Sequence, residues 1–172
     1  NGCDIRSFSN INTALKCIHQ QEGNIDFVIN TAGILKMGTL VSRTQNDIME
    51  EIKINYLGSV NVVKASTPYL KKTKGGILLF TSSSFTRGRA LYSIYSSTKA
   101  AIVNFMQAQA DELSMIDIKI NAINPERTDT KMRIQNFGYE LKSELLKPSV
   151  VAKISLQTLL SDYTGQVIDI RK

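Results

Sequence analysis

The sequence is poor in the residues that build metal centres and disulfide frameworks. Its 172 residues include no tryptophan, one histidine, two cysteines and three prolines. His19 alone excludes a zinc site built on two imidazoles, and it leaves a serine–histidine hydrolase a single candidate base. Cys3 and Cys17 have no partners at metal-ligand spacing and make no disulfide framework, so no metal is expected and a reducing cytoplasm is the default compartment. No apolar run approaches the ~20 residues of a membrane span and no secretory signal opens the sequence, so no membrane association is expected. Charge is not extreme: 21 Lys and Arg against 15 Asp and Glu give +6. That balance favours anionic ligands, but the basic stripe and supporting motifs of a nucleic-acid binder are missing, and no nucleic acid is expected as a partner. What remains, 42% apolar and 21% charged, is the composition of one globular domain with a real core.

Helical and strand patterns alternate along the chain. Ile11, Leu15 and Ile18 recur at helical spacing over 10–22, after a cap at Ser9 and before Gly23. Short β-branched runs at 25–30 (IDFVIN), 77–81 (ILLFT), 118–123 (IKINAI) and 166–170 read as buried strands. A long helix is expected over 44–72, entered after Ser42, with Pro68 bending or re-capping it. Further helices are expected over 94–114 and 148–160, the latter favoured by Pro148 in its first turn. Residues 126–147 read as irregular and polar. Strands separated by helices demand right-handed crossovers and a mostly parallel sheet covered on both faces, hence a single α/β domain over 1–172.

The strongest chemical signal is Tyr95-Ser96-Ser97-Thr98-Lys99. Tyr and Lys four apart share one helix face, where an ammonium lowers a phenol's pKa and makes it a usable proton donor. Ser82 leaves the end of a strand, where doubly wound sheets place their ligands, and its hydroxyl can hold a carbonyl beside Tyr95. Asn55 lies among Ile52, Ile54 and Leu57 in the long helix, either as a half-exposed amide or as one that perturbs the helix and holds a water. Asn30-Thr31-Ala32-Gly33 follows a strand with small residues that let a ligand approach the backbone.

In order and spacing these motifs resemble those of the short-chain dehydrogenase/reductase family, and the resemblance covers essentially the whole chain. It implies a Rossmann-type doubly wound parallel sheet and an NAD(P)-dependent oxidoreductase. Tyr95 would be the general acid, Lys99 would lower its pKa and hold the nicotinamide ribose, and Ser82 would orient the carbonyl. Asn55 would position a relay water. Cofactor binding would fall to Tyr95, Lys99, Pro125, Thr128 and Thr130, with Asn30, Ala32 and Gly33 on the adenosine side and Asp4 near the adenine. The family's glycine-rich phosphate loop has no counterpart among the ten glycines. The resemblance therefore implies a chain lacking the N-terminal βαβα part of the fold, with its missing first strand belonging beside 25–30, so that these residues alone should bind NADPH negligibly and not form a stable monomer.

Arg87 and Arg89 lie between Ser82 and Tyr95, Arg127 stands after Pro125, and Lys131 and Arg133 follow; as a set they suggest an anionic substrate, with Arg87, Arg89 and Arg127 gripping its phosphate. The stretches 56–62, 81–90, 92–105 and 124–128 resemble, more narrowly, the C-terminal reductase domains of bifunctional ribulose 5-phosphate reductase/CDP-ribitol pyrophosphorylases. That implies NADPH (or NADH) as cofactor, a small phosphorylated sugar as substrate, a homo-oligomer, and fusion to an N-terminal cytidylyltransferase. The alternatives are a reductase of another sugar phosphate or of an acyl thioester, or a non-catalytic dinucleotide-sensing module.

Overall fold

The computed structural model describes residues 3–172. Four strands, β1 (Phe27–Asn30), β2 (Gly76–Phe80), β3 (Lys119–Pro125) and β4 (Val167–Ile170), pair in parallel in the order β1-β2-β3-β4. The two-residue period of β2 explains why the sheet is covered twice. Ile77 and Leu79 enter one apolar layer and Leu78 the other, and all three are buried. The first layer is closed by α1 (Phe8–Glu22), α3 (Gly58–Thr73) and α4 (Ser93–Ser114), through Leu15, Val63, Leu70, Ile102 and Met106. The second is closed by α6 (Pro148–Leu159), through Val151 and Leu159. The result is the doubly wound α/β sheet that the sequence pattern implies. The outer edge of β1 is unpaired among the described residues, and Phe27 and Ile29 are exposed beside it.

The return from α3 to β2 depends on a missing side chain. A Cβ at Gly75 would collide with the Asp26 carbonyl oxygen, which accepts the Gly76 N–H at 3.0 Å. Asn121, one of two buried asparagines in β3, is satisfied: its Nδ2 donates to the Tyr163 carbonyl at 2.7 Å, and its Oδ1 accepts the Gln166 N–H at 3.0 Å.

Several boundaries differ from expectation for local reasons. The N-cap of α1 is Ser7, not Ser9, and its hydroxyl accepts the Asn10 N–H. The long helix starts within one residue of its expected place, with Thr44 capping α2 (Gln45–Ile52). It is, however, not continuous: a π-turn at Lys53–Leu57 separates α2 from α3. Pro68 lies inside α3 without ending it. Residues 126–147 contain a helix, α5 (Lys131–Phe137), capped by Thr130 and ended at Gly138 with φ 76°. Its lone turn pair escapes periodicity because it buries no residue.

Residues 31–36 leave β1 as a strap that does not extend the sheet, so their peptide groups need other partners. Helix side chains supply them. Asn55 Oδ1 accepts the Ile34 N–H at 2.8 Å, and its Nδ2 donates to the Ile34 carbonyl at 2.9 Å. One turn earlier, Glu51 Oε1 accepts the Lys36 N–H at 3.1 Å, while Arg43 donates to the Lys36 carbonyl at 2.7 Å. Arg43 and Glu51 themselves pair at 3.0 Å, with side chains 6% and 0% exposed. Deleting one member of a buried pair strands the other charge, at a cost of about 3–5 kcal/mol. Arg43→Ala should therefore lower the urea midpoint by an equivalent amount at unchanged m-value. A loss below about 1 kcal/mol, the range of exposed pairs, would show that the pair does not hold the strap.

Candidate active site

The strap, the C-terminal ends of β2 and β3 and the start of α4 enclose a cavity of about 310 Å³. Ser82, Tyr95 and Lys99 all line it, as do Thr31 and Gly33 from the strap, Pro125 at the end of β3, and Thr128 and Thr130 from the segment after it. Local bonds set each group. The Thr81 hydroxyl donates to the Lys99 carbonyl at 2.8 Å, fastening α4 to the end of β2. Ser82 is extended and caps a short turn at Ser83–Phe85, its Oγ accepting the Ser84 N–H at 3.3 Å. Tyr95 and Lys99 stand one helical turn apart, with the ammonium 5.5 Å from the ring centroid. Lys99 is buried, and its Nζ donates to the Phe80 carbonyl at 2.8 Å.

Burial moves the two titrating groups in opposite directions. Loss of hydration pushes the Tyr95 hydroxyl up to about 12; the Ser82 hydroxyl pulls it back, and the nearby Glu51 carboxylate and Tyr92 push it further. Loss of hydration brings Lys99 down to about 8. Desolvation of the phenolate dominates the Tyr95 shift, and Lys99 is not among the groups that set it. At neutral pH Tyr95 keeps its proton and can donate it.

The cavity sorts the residues singled out from the sequence. Asn55 is fully buried rather than half-exposed. Both its N–H bonds are committed, to Ile34 and to the Thr98 hydroxyl at 3.2 Å, so only a lone pair of Oδ1 is left for a relay water. Asn30 is also buried, donating to Ser59 and accepting the Ala32 N–H, which shapes the loop. Asn30, Thr31 and Ala32 line a second cavity of about 270 Å³, so the two cavities share Thr31, while Gly33 belongs to the first. Asp4 forms an ion pair with Arg6 at 2.7 Å and lines neither cavity, although its neighbours Cys3 and Ile5 line the second. Arg127 lines the first cavity, but Arg87 and Arg89 do not, because they belong to a stretch, 86–90, that is exposed throughout. Tyr92, Arg133 and Phe137 line it instead. Sequence reasoning also missed Glu51, whose signal was an acid between Ile48 and Ile52 on an apolar helix face.

The Lys99 shift has a consequence for stability. The unfolded chain holds this proton to about pH 10.5 and the folded chain to about pH 8, so between those values the unfolded state binds more protons and stability rises with pH. Denaturation at pH 8.3 and 9.7 should show a gain of roughly 1.4 kcal/mol per pH unit in the wild type, and a Lys99→Met variant should lack it. Equal slopes in the two proteins would mean that the ammonium is not desolvated.

A family model for short chain dehydrogenases matches residues 1–139. The chain is 47% identical over 170 residues to the bifunctional ribulose 5-phosphate reductase/CDP-ribitol pyrophosphorylase Bcs1 of Haemophilus influenzae, covering 99% of this chain and 36% of that protein. It is 28% identical over 178 residues to the 3-oxoacyl-[acyl-carrier-protein] reductase of Bos taurus, covering 96% of this chain and 73% of that one. Among solved structures, the 3-ketoacyl-(acyl-carrier-protein) reductase of Brucella melitensis complexed with NADH superposes with a TM-score of 0.91 at 23% identity, over 98% of this chain and 75% of that one. ElxO with NADP bound superposes with a TM-score of 0.85 at 24% identity, over 97% and 74%. These two share the fold. The family match runs from α1 through α5, and on that ground the chain belongs to the short chain dehydrogenase family, the NAD(P)-dependent short-chain oxidoreductases.

Proposed function

We propose that the chain reduces a small polar carbonyl with NADPH or NADH, and that this carbonyl is the ketone of ribulose 5-phosphate, giving ribitol 5-phosphate. The observation that carries the reading is the 47% identity, over nearly every residue, to a protein named for that reduction. On the same reading the natural polypeptide also bears a cytidylyltransferase that turns the product into CDP-ribitol for polysaccharide synthesis, and acts as a cytoplasmic homo-oligomer.

The residues present fit a dinucleotide. Lys99 is buried with one of its three N–H bonds engaged among the described residues, leaving two donors for the cavity. A Cβ on Gly33 would stand 3.5 Å from Lys99 Nζ, in space that a ligand would otherwise use. Gly33, Lys99, Pro125, Thr128 and Thr130 would hold the nicotinamide end, and Asn30, Ala32 and Asp4 would lie toward the adenosine. Bound, the reduced nicotinamide supplies a hydride. Ser82 then holds the carbonyl oxygen by a hydrogen bond, and Tyr95 delivers its proton to that oxygen as negative charge develops. Lys99, charged below about pH 8, stabilises the tyrosinate left behind. Reduction should therefore fade as pH rises through about 8.

The 28% identity to 3-oxoacyl-[acyl-carrier-protein] reductases favours a second reading, a β-ketoacyl thioester as substrate. NADPH oxidation by the full-length protein, with ribulose 5-phosphate and with an acetoacetyl thioester, separates the two. Preference for the thioester would overturn the sugar-phosphate reading, and cofactor binding without turnover of any carbonyl would indicate a sensing module. Tyr95→Phe should lower turnover by about 10²–10⁴-fold while leaving NADPH binding near normal. Turnover within a few-fold of wild type would remove Tyr95 from the proton transfer.

A further inference from the structure

We propose that Arg127 and Arg133, held as a pair by Glu140, are the anchor for the phosphate of the substrate. The inference rests on the sugar-phosphate reading above and assigns the residues that would set that specificity. Both arginines line the cavity that contains Ser82 and Tyr95. Arg133 donates from Nε and Nη2 to the two carboxylate oxygens of Glu140, at 2.5 and 2.9 Å, and Arg127 Nη1 donates to Oε1 at 3.3 Å. That arrangement uses one edge of the Arg133 fork. Its other edge, Nη1 with the second Nη2 proton, has no protein partner among the described residues. A planar fork with one free edge, beside a second guanidinium, suits a tetrahedral oxyanion.

The anchor is also fixed relative to the chemistry. The Arg133 guanidinium lies 3.9 Å over the ring of Phe137. Phe137 meets Tyr92 edge-on at 5.7 Å, and Tyr92 meets Tyr95 at 6.3 Å. Three rings thus connect the guanidinium to the proton donor, and all three line the cavity. The charged lining is Lys99, Arg127 and Arg133 against the single carboxylate of Glu126, a field that favours an anion.

A phosphate in this cavity could belong to the sugar or to the dinucleotide, so the test separates the two sources. In the full-length protein, Arg127→Ala and Arg133→Ala should each raise KM for ribulose 5-phosphate by about ten- to hundredfold, the value of a charged hydrogen bond. With unphosphorylated ribulose the same variants should stay near wild type, which also certifies that they fold. NADPH affinity, read by fluorescence titration, should not change. Equal losses on both sugars would overturn the anchor, and so would a loss of NADPH affinity, which would assign the pair to the cofactor. If the wild type does not turn over ribulose 5-phosphate, the functional reading fails and the anchor is judged by calorimetry with ribitol 5-phosphate. Wild-type binding that Arg133→Ala abolishes supports the anchor, and absence of wild-type binding overturns it.

Discussion

Every peptide group of a chain that leaves a sheet must find a partner or remain in water, and in the strap after β1 buried side chains supply the partners. Two side chains one helical turn apart resolve this, Asn55 on Ile34 and Glu51, with Arg43, on Lys36. The same Asn55 amide reaches Thr98, the residue before Lys99. Strap, broken helix and catalytic helix are therefore joined at one buried amide. The α-helical ladder yields where that amide sits: the Gly58 N–H bonds back to Lys53, giving the wide turn at Lys53–Leu57. Gly33, which approaches Lys99, is held in place by this joint, so the shape of the cavity wall depends on a residue that the sequence reading credited with holding a water.

Burial then divides the labour between the two titrating groups. A phenol and an amine placed together in water would differ little in pKa, at about 10 and 10.4. In the cavity the neutral form of each is favoured, which moves the phenol up and the amine down. A neutral, hydrogen-bonded Tyr95 is the form required of an acid in carbonyl reduction. Lys99 meanwhile remains close enough to neutrality for its charge to depend on pH in the physiological range. The Ser82 hydroxyl and the Glu51 carboxylate act on Tyr95 in opposite senses. The pair that braces the strap therefore also bears on the proton donor.

The parts of this molecule that repeat were legible in the sequence. The unbroken apolar run Ile77-Leu78-Leu79, which marks a strand covered on both faces, and the four-residue step from Tyr95 to Lys99 are patterns that a sequence displays directly. What escaped depends on contacts between distant positions. The break at Lys53–Leu57 has no proline or glycine inside it to announce it, and Asn55 acts through Ile34, 21 positions away. Arg87 and Arg89 looked equivalent to Arg127 because charge can be counted in a sequence whereas the exposure of a loop cannot. The seven-residue α5 carries no buried stripe; it is held by the Thr130 cap and by Phe137 against Tyr92, neither of which has a period. Arg133 therefore read as one member of a basic set around the site, with nothing to single it out from Lys131.

Two threonines on the same wall show how fixed hydrogen bonds give a cavity polarity. Thr128 donates its hydroxyl proton to the Glu126 carbonyl at 2.8 Å, so toward a ligand it can offer only lone pairs. Thr130 accepts the Arg133 N–H at 3.2 Å in capping α5, and its own proton has no acceptor among the described residues. One hydroxyl is thus an acceptor and the other a donor, two positions apart. A primary amide, which carries both functions on one carbon, satisfies both at once, whereas a phosphate, with no proton to give at its dianion stage, satisfies only Thr130. The threonine pair therefore suits the carboxamide of a nicotinamide ring better than a phosphate. That leaves the guanidinium pair, whose every free atom is a donor, as the part of the wall matched to a phosphate.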